Sequence, residues 1–199
     1  MTAIDPKFII SEDINNKCLA FAKASVSSSS DKYARRQQFD VEKIMKDIKI
    51  GKIGEEGVYE KVSILYPELS KPDHQIYSKK DKSWSPDLID SESGLHLAVK
   101  SQGIESALAF EDSWVFQYND GKNYDCDKGV FKEVNDKHYV AFTSINVPKR
   151  IGEIRAIVKI QWLHDKKLFK EMKKQSLRGN KMAVYLEDLE KYEDQLWQL

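Results

Sequence analysis

Asp87, which follows Pro86, and Lys100 are the residues whose types and spacing suggest chemistry in this chain. They belong to two apolar-rich runs, 85–90 and 95–102, separated by the polar turn Ser91-Glu92-Ser93-Gly94. Read as a hairpin, the runs bring an acid and a lysine together at one end of a sheet. Such a pair is suited to electrostatic and acid–base work on a charged group. In the second run Leu95, Leu97 and Val99 alternate with His96, Ala98 and Lys100, so position 98 shares a face with Lys100. An alanine there adds neither a charge nor a ligand.

Periodicity indicates the elements that must position these groups. Residues 11–24 space Ile14, Cys18, Leu19, Phe21 and Ala22 as an amphipathic helix does, and the serine-rich stretch 25–31 reads as a linker or a helix-capping loop. A second helix is predicted over 32–49, with Tyr33, Phe39, Val41, Ile44, Met45 and Ile48 inward and Arg35-Arg36 solvated or facing a nucleic acid. A third opens at Gly51-Lys52-Ile53-Gly54-Glu55-Glu56-Gly57 and aligns Val58, Val62 and Leu65 until Pro67 stops it. Each glycine costs a helix about 1 kcal/mol relative to alanine, so the cluster calls for a reason such as close backbone approach. Glu55 lies at the buried edge of that helix, although an acid near a helix start also answers the helix dipole. Strands are predicted over 75–78, 84–90, 95–102, 114–118, 138–147, 154–163 and 182–186, with a short helix over 103–110. Asp165 is read as the cap of a basic helix ending near Gly179. Residues 187–199 are read as a closing helix with Leu189, Tyr192, Leu196 and Trp197 inward.

A chain of 199 residues is expected to form one domain with appendages: a helical N-terminal extension over 1–50 and an α/β domain over 51–199. Lys plus Arg and Asp plus Glu number 32 each, so attraction to a polyanion must arise from local patches. Cys18 and Cys126 alone make neither a disulfide framework nor a zinc site and fit thiols in a reducing compartment. No apolar run approaches the roughly 18 residues of a membrane span, and the first residues lack the basic and apolar blocks of a signal peptide. The expectation is a cytoplasmic protein with no membrane partner.

The order of helix with Glu55, strand with Pro86-Asp87, strand with Ala98-Val99-Lys100, helix and strand resembles the PD-(D/E)xK nuclease superfamily. Gly51-Lys52-Ile53-Gly54-Glu55 matches the context of that family's helix carboxylate, Asp87 the acid after proline, and Lys100 the lysine two residues past the second carboxylate. The likeness covers residues 51–118; Pro72-Asp73 repeats the dipeptide outside any matching context. The resemblance implies a restriction-endonuclease-like fold, a mixed central sheet flanked by helices. It also implies a hydrolase of phosphodiester bonds, a DNA endonuclease dependent on Mg²⁺ or Mn²⁺ and acting as a homodimer to cut both strands. By the same resemblance Asp87 would bridge the metal, the Val99 carbonyl would add a ligand, and Glu55 would hold an outer water or a second metal. Lys100 would position the attacking water or stabilise the transition state, and Gln102 would help hold the site or the phosphate.

Ala98 departs from this pattern, standing where the family has Asp or Glu as the central ligand. Three explanations compete: a deliberate inactivating change, a natural loss that leaves DNA or partner binding, or a displaced ligand (Glu92 and Gln102 being nearest in sequence) or a different alignment. Under each, the chain as written holds a metal weakly. The alternative function is a non-catalytic DNA-binding or protein-interaction module on the same fold.

Phosphate contacts are expected from Lys149 and Arg150 in a loop and from Lys166, Lys170, Lys173 and Lys174 along the basic helix, a set that equally describes a solvated face. His96 lies on the site face as a candidate ligand or an ordinary strand histidine. His74, His138 and His164 lack the neighbours of a catalytic triad.

Overall fold

The structure, a computed structural model, describes residues 5–28, 40–77, 86–118, 127–132, 134–173, 175, 178 and 181–199. Strand β1 (Lys7–Ile9) leads into helix α1 (Glu12–Ser28), which buries Cys18 and Ala22. The serines expected to leave this helix extend it, because the Ser27 and Ser28 hydroxyls donate back to the carbonyls of Lys23 and Ser25. The helices predicted over 32–49 and from Gly51 include a single described element, α2 (Val41–Val62), capped by Asp40, whose carboxylate accepts the Lys43 N–H at 2.9 Å. Tyr33, Arg35, Arg36 and Phe39 lie outside the described residues.

The glycines therefore sit inside a helix rather than at its start. A Cβ at Gly54 would come within 1.9 Å of the Ser101 hydroxyl, and one at Gly57 within 2.2 Å of the Phe8 ring. Their absence lets α2 lie directly on the sheet.

That sheet is formed by β1, β2 (Leu88–Ile89), β3 (His96–Gly103), β5 (His138–Asn146) and β6 (Ile151–Lys159), in the order β1-β6-β5-β3-β2. β3 and β5 run parallel, and the other neighbours are antiparallel. Helix α3 (Ile104–Phe110), strand β4 (Ser113–Gln117) and the one-turn helix α4 (Lys128–Phe131) lie in the crossover that parallel strands require. A second antiparallel sheet has the order β4-β8-β7, with β7 at Lys170–Glu171 and β8 at Lys181–Tyr185. Helices α5 (Ile160–Asp165) and α6 (Leu186–Leu189) complete the fold, followed by a 3₁₀ segment, Glu190–Gln195.

Alternation along the strands splits the core in two. Leu97, Val99, Ala141 and Ile145 pack with Ile53, Val58, Val62 and Phe8 beneath α2. Val140, Phe142, Ala156 and Val158 face Trp114, Phe116 and Val184 of the second sheet. The two sheets are tied by the Trp114 indole N–H, which donates to the Thr143 carbonyl at 2.9 Å. Because Phe8, Ile10, Cys18 and Ile50 share a cluster with Leu97 and Val99, the expected division at residue 50 falls inside α2 and inside one core.

Five predicted elements are corrected. Residues 75–77 are not a strand, and the run 84–90 contributes only Leu88–Ile89 among its described residues. The last part of the strand over 154–163 is helix α5. Among the described residues the basic helix does not form: Lys167 takes a left-handed φ of 55°, and the chain turns so that Leu168 and Met172 are buried and β7 pairs with β8. The closing helix breaks at Tyr192, so Leu189 and Leu196 are buried but Trp197 remains 42% exposed. Among the described residues no helix is long and apolar enough to cross a membrane.

Candidate active site

Strand β2 begins only at Leu88, and this leaves the edge of β3 beyond Leu97 to the residue just before it. Continuing the register that pairs Leu88 with Leu97 and Ile89 with His96 carries Asp87 opposite Ala98. There the Asp87 carboxylate accepts the Val99 N–H at 2.7 Å, taking the place of the strand that has run out. The N–H and C=O of one strand residue point to the same side, so the Val99 carbonyl is directed to this edge as well.

Two further charges approach from the α2 side. Glu55 is only 8% exposed, and its carboxylate accepts a bond from Lys52 Nζ at 2.6 Å. Burial, and then the negative charge of Asp87, push Glu55 up to about 8; the Lys52 ammonium opposes this without cancelling it. The carboxyl of Asp87 is also raised, first by desolvation, against the pull of the Val99 N–H, Lys100 and Lys52. Glu55 and Asp87 are thus two crowded acids that gain from a positive neighbour.

Lys100 comes from the opposite face of β3. Its Nζ lies 4.9 Å from the centre of the Phe116 ring and donates to Asp127 Oδ2 at 2.8 Å. The charge of Asp127 also raises the Asp87 carboxyl, so the two acids belong to one electrostatic neighbourhood. Ala98 packs its methyl against the aromatic cluster of the second sheet. Among the described residues no three of His, Cys, Asp or Glu come close enough together to hold a metal ion.

Gln102 is placed elsewhere. Its amide donates to the Glu111 carbonyl and accepts the Ser113 N–H, both at 2.8 Å, pinning the connection from α3 to β4. Glu92, in the turn after β2, is exposed. His96 is engaged with His138: Nδ1 and Nε2 are 3.1 Å apart and the rings stack with centroids 4.9 Å apart. His74 Nε2 lies 2.7 Å from Glu56 Oε1 between α1 and α2. The Cys18 thiol is pushed up to about 12, by burial first, which makes it a poor nucleophile.

The basic residues do not form the expected stripe. Lys149 and Arg150 are exposed at the turn between β5 and β6, with Arg150 4.0 Å from Glu12. Lys166 stands over the Tyr192 ring, Lys170 lies in β7, and Lys173 is paired with Glu111 and Glu187. Lys174 lies outside the described residues. An open cleft of about 330 Å³ at the carboxyl ends of β3 and β5 is lined by Lys149, Arg155 and Gln102, but not by Asp87 or Lys100.

Sequence reasoning missed Lys52 and Asp127. The first carries a readable signal, its i,i+3 spacing from Glu55 on one helix. The second carries none, since residues 119–128 read as a polar loop and only the fold returns Asp127 to β3. Comparisons of the chain with family models, with curated proteins and with solved structures return no match.

Proposed function

We propose that this chain is built as a metal-dependent DNA endonuclease of the PD-(D/E)xK type, with a restriction-endonuclease-like sheet, and that Ala98 leaves it inactive or nearly so. The observation that carries this reading is the placement of Asp87 opposite position 98, with Lys100 two residues along the same strand and Glu55 electrostatically coupled to Asp87. Side chains directly opposite on antiparallel strands have Cβ atoms about 5 Å apart. A carboxylate at 98 would therefore face Asp87 and lie beside Lys100.

The residues present fit a hard divalent cation, Mg²⁺ or Mn²⁺, held weakly. Asp87, the Val99 carbonyl and Glu55 are oxygen donors of the type such ions take, and the two acids, both raised by burial and then by a negative neighbour, Asp87 for Glu55 and Asp127 for Asp87, are stabilised by a cation. When bound, the ion acidifies a water and offsets charge on phosphoryl oxygens. Lys100 would hold the phosphate by its ammonium, oriented by Asp127 and Phe116. DNA is the substrate of this reading, and a homodimer would supply the two sites that cutting both strands of a duplex needs.

A second reading, a DNA-binding or protein-interaction module on the same scaffold, draws on one observation. Lys100 is already neutralised by Asp127, and Ala98 supplies no ligand.

Mg²⁺-dependent cleavage of supercoiled plasmid separates the two. Ala98→Glu or Ala98→Asp is expected to cut, the parent chain to cut little or not at all, and adding Asp87→Ala to abolish the gain. Folded Ala98→Glu and Ala98→Asp proteins that both leave the plasmid intact would falsify the nuclease reading. Salt-dependent DNA binding by those same proteins would then favour the binding module.

A further inference from the structure

We infer that Asp127 supplies the negative charge that β3 lacks at position 98, acting as the positioning residue for Lys100. The inference rests on reading this edge of β3 as the site, and it names the group that holds the site's lysine in the chain as it stands.

The side chain of Lys100 is only 24% exposed, and its ammonium lies against the Phe116 ring. A cation so placed needs a counter-charge, because removal from water is not offset by the ring alone. On a strand, the nearest same-face positions are two residues away, which for Lys100 are 102, where the uncharged Gln102 amide is bound to the Glu111 carbonyl and the Ser113 N–H, and 98. A methyl group there leaves the requirement unmet, and Asp127 meets it at 2.8 Å.

Asp127 is held for this task. Its Oδ2 also accepts the Gln117 N–H at 3.1 Å, and its own N–H donates to the Gln117 carbonyl at 3.0 Å, fastening it to the end of β4. Its carbonyl accepts the N–H groups of Val130 and Phe131, starting α4. The bonds fix the acid on the Ala98 face of the sheet, where its charge reaches Asp87 as well as Lys100. An acid at 98 and Asp127 would thus do the same work for Lys100, and each should be less needed when the other is present.

Thermal denaturation of Asp127→Asn in three backgrounds tests this. Asp127→Asn keeps an oxygen for the Gln117 N–H and removes only the charge. Alone it is expected to lower the melting temperature by about 3–8 °C. In Ala98→Glu the same substitution should cost less than half as much, and in Lys100→Met it should cost nothing measurable. Equal losses in all backgrounds would overturn the inference and leave Asp127 as a brace of β4. If Ala98→Glu does not fold, the Lys100→Met comparison decides alone. These melts are read whether or not any variant cuts DNA, so failure of the nuclease reading shows in the plasmid assay and failure of this inference shows here.

Discussion

Glu55 shows how a single buried acid ties the site to the stability of the fold. Its carboxyl sits under α2 with Asp87 as a negative neighbour, and it is raised from an ordinary 4.5 to about 8. Between those values the folded chain keeps a proton that the unfolded chain releases. Stability therefore falls as pH rises through this window, and the proton's contribution is lost above about 8. Glu55→Gln has no such proton. From pH 6 to pH 9 the parent's melting temperature is expected to fall further than the variant's, and parallel curves would show that Glu55 ionises normally in the fold. The buried edge on which Glu55 lies was legible in the sequence from its spacing to Val58 and Val62. Its neighbour Asp87 was legible through the hairpin, which brings that acid to the same end of the sheet as Lys100, whereas its place opposite position 98 comes from the strand register of the fold.

Among the elements, α2 makes the most specific demand on its sequence. Three glycines lie within it, and the fold separates their roles. Nothing lies within 4 Å of a Cβ at Gly51, whereas Gly54 faces Ser101 and Thr143 and Gly57 faces the Phe8 ring. Gly51→Ala is accordingly expected to stabilise the protein by about 0.5–1 kcal/mol through helix propensity. Gly57→Ala is expected to destabilise it by about 1–3 kcal/mol, because the ring must move in a packed core. Urea unfolding of the two variants checks the contrast, and shifts of the same sign in both would remove the close-approach explanation. The sequence carried the need for close approach but not the helix through it, since glycine runs read locally as helix ends. Strand β5 was legible from its branched and aromatic run, and β3 from the alternation of Leu95, Leu97 and Val99 with His96, Ala98 and Lys100. The lysine-rich segment after Asp165 misled for the opposite reason. Its charges suggested a solvated helix, while burial of Leu168 and Met172 and pairing of β7 with β8 determine its path.

Over the whole molecule, balanced charge means that any grip on DNA depends on which cations are already paired. Lys17, Lys46, Lys52, Lys100 and Lys173 all face carboxylates. Such pairings join residues far apart in the chain, as Lys100 with Asp127 and Lys173 with Glu111 do, and this is why neither the third acid of the site nor the loss of the basic stripe could be read from spacing. Lys149 is different: it is exposed at the turn between β5 and β6, beside the open cleft. Phosphate contacts release counterions in proportion to the free charges engaged, about 0.9 in the log–log salt slope for each on duplex DNA. Under the proposed function Lys149→Ala should reduce the slope by about 1, with little change in sequence preference. Lys173→Ala should leave the slope nearly unchanged, because Glu111 and Glu187 already hold that ammonium. Fluorescence anisotropy titrations of a duplex oligonucleotide between about 50 and 200 mM salt measure both. A slope that responds to Lys173→Ala and not to Lys149→Ala would move the DNA-facing surface from the β5–β6 turn to the second sheet.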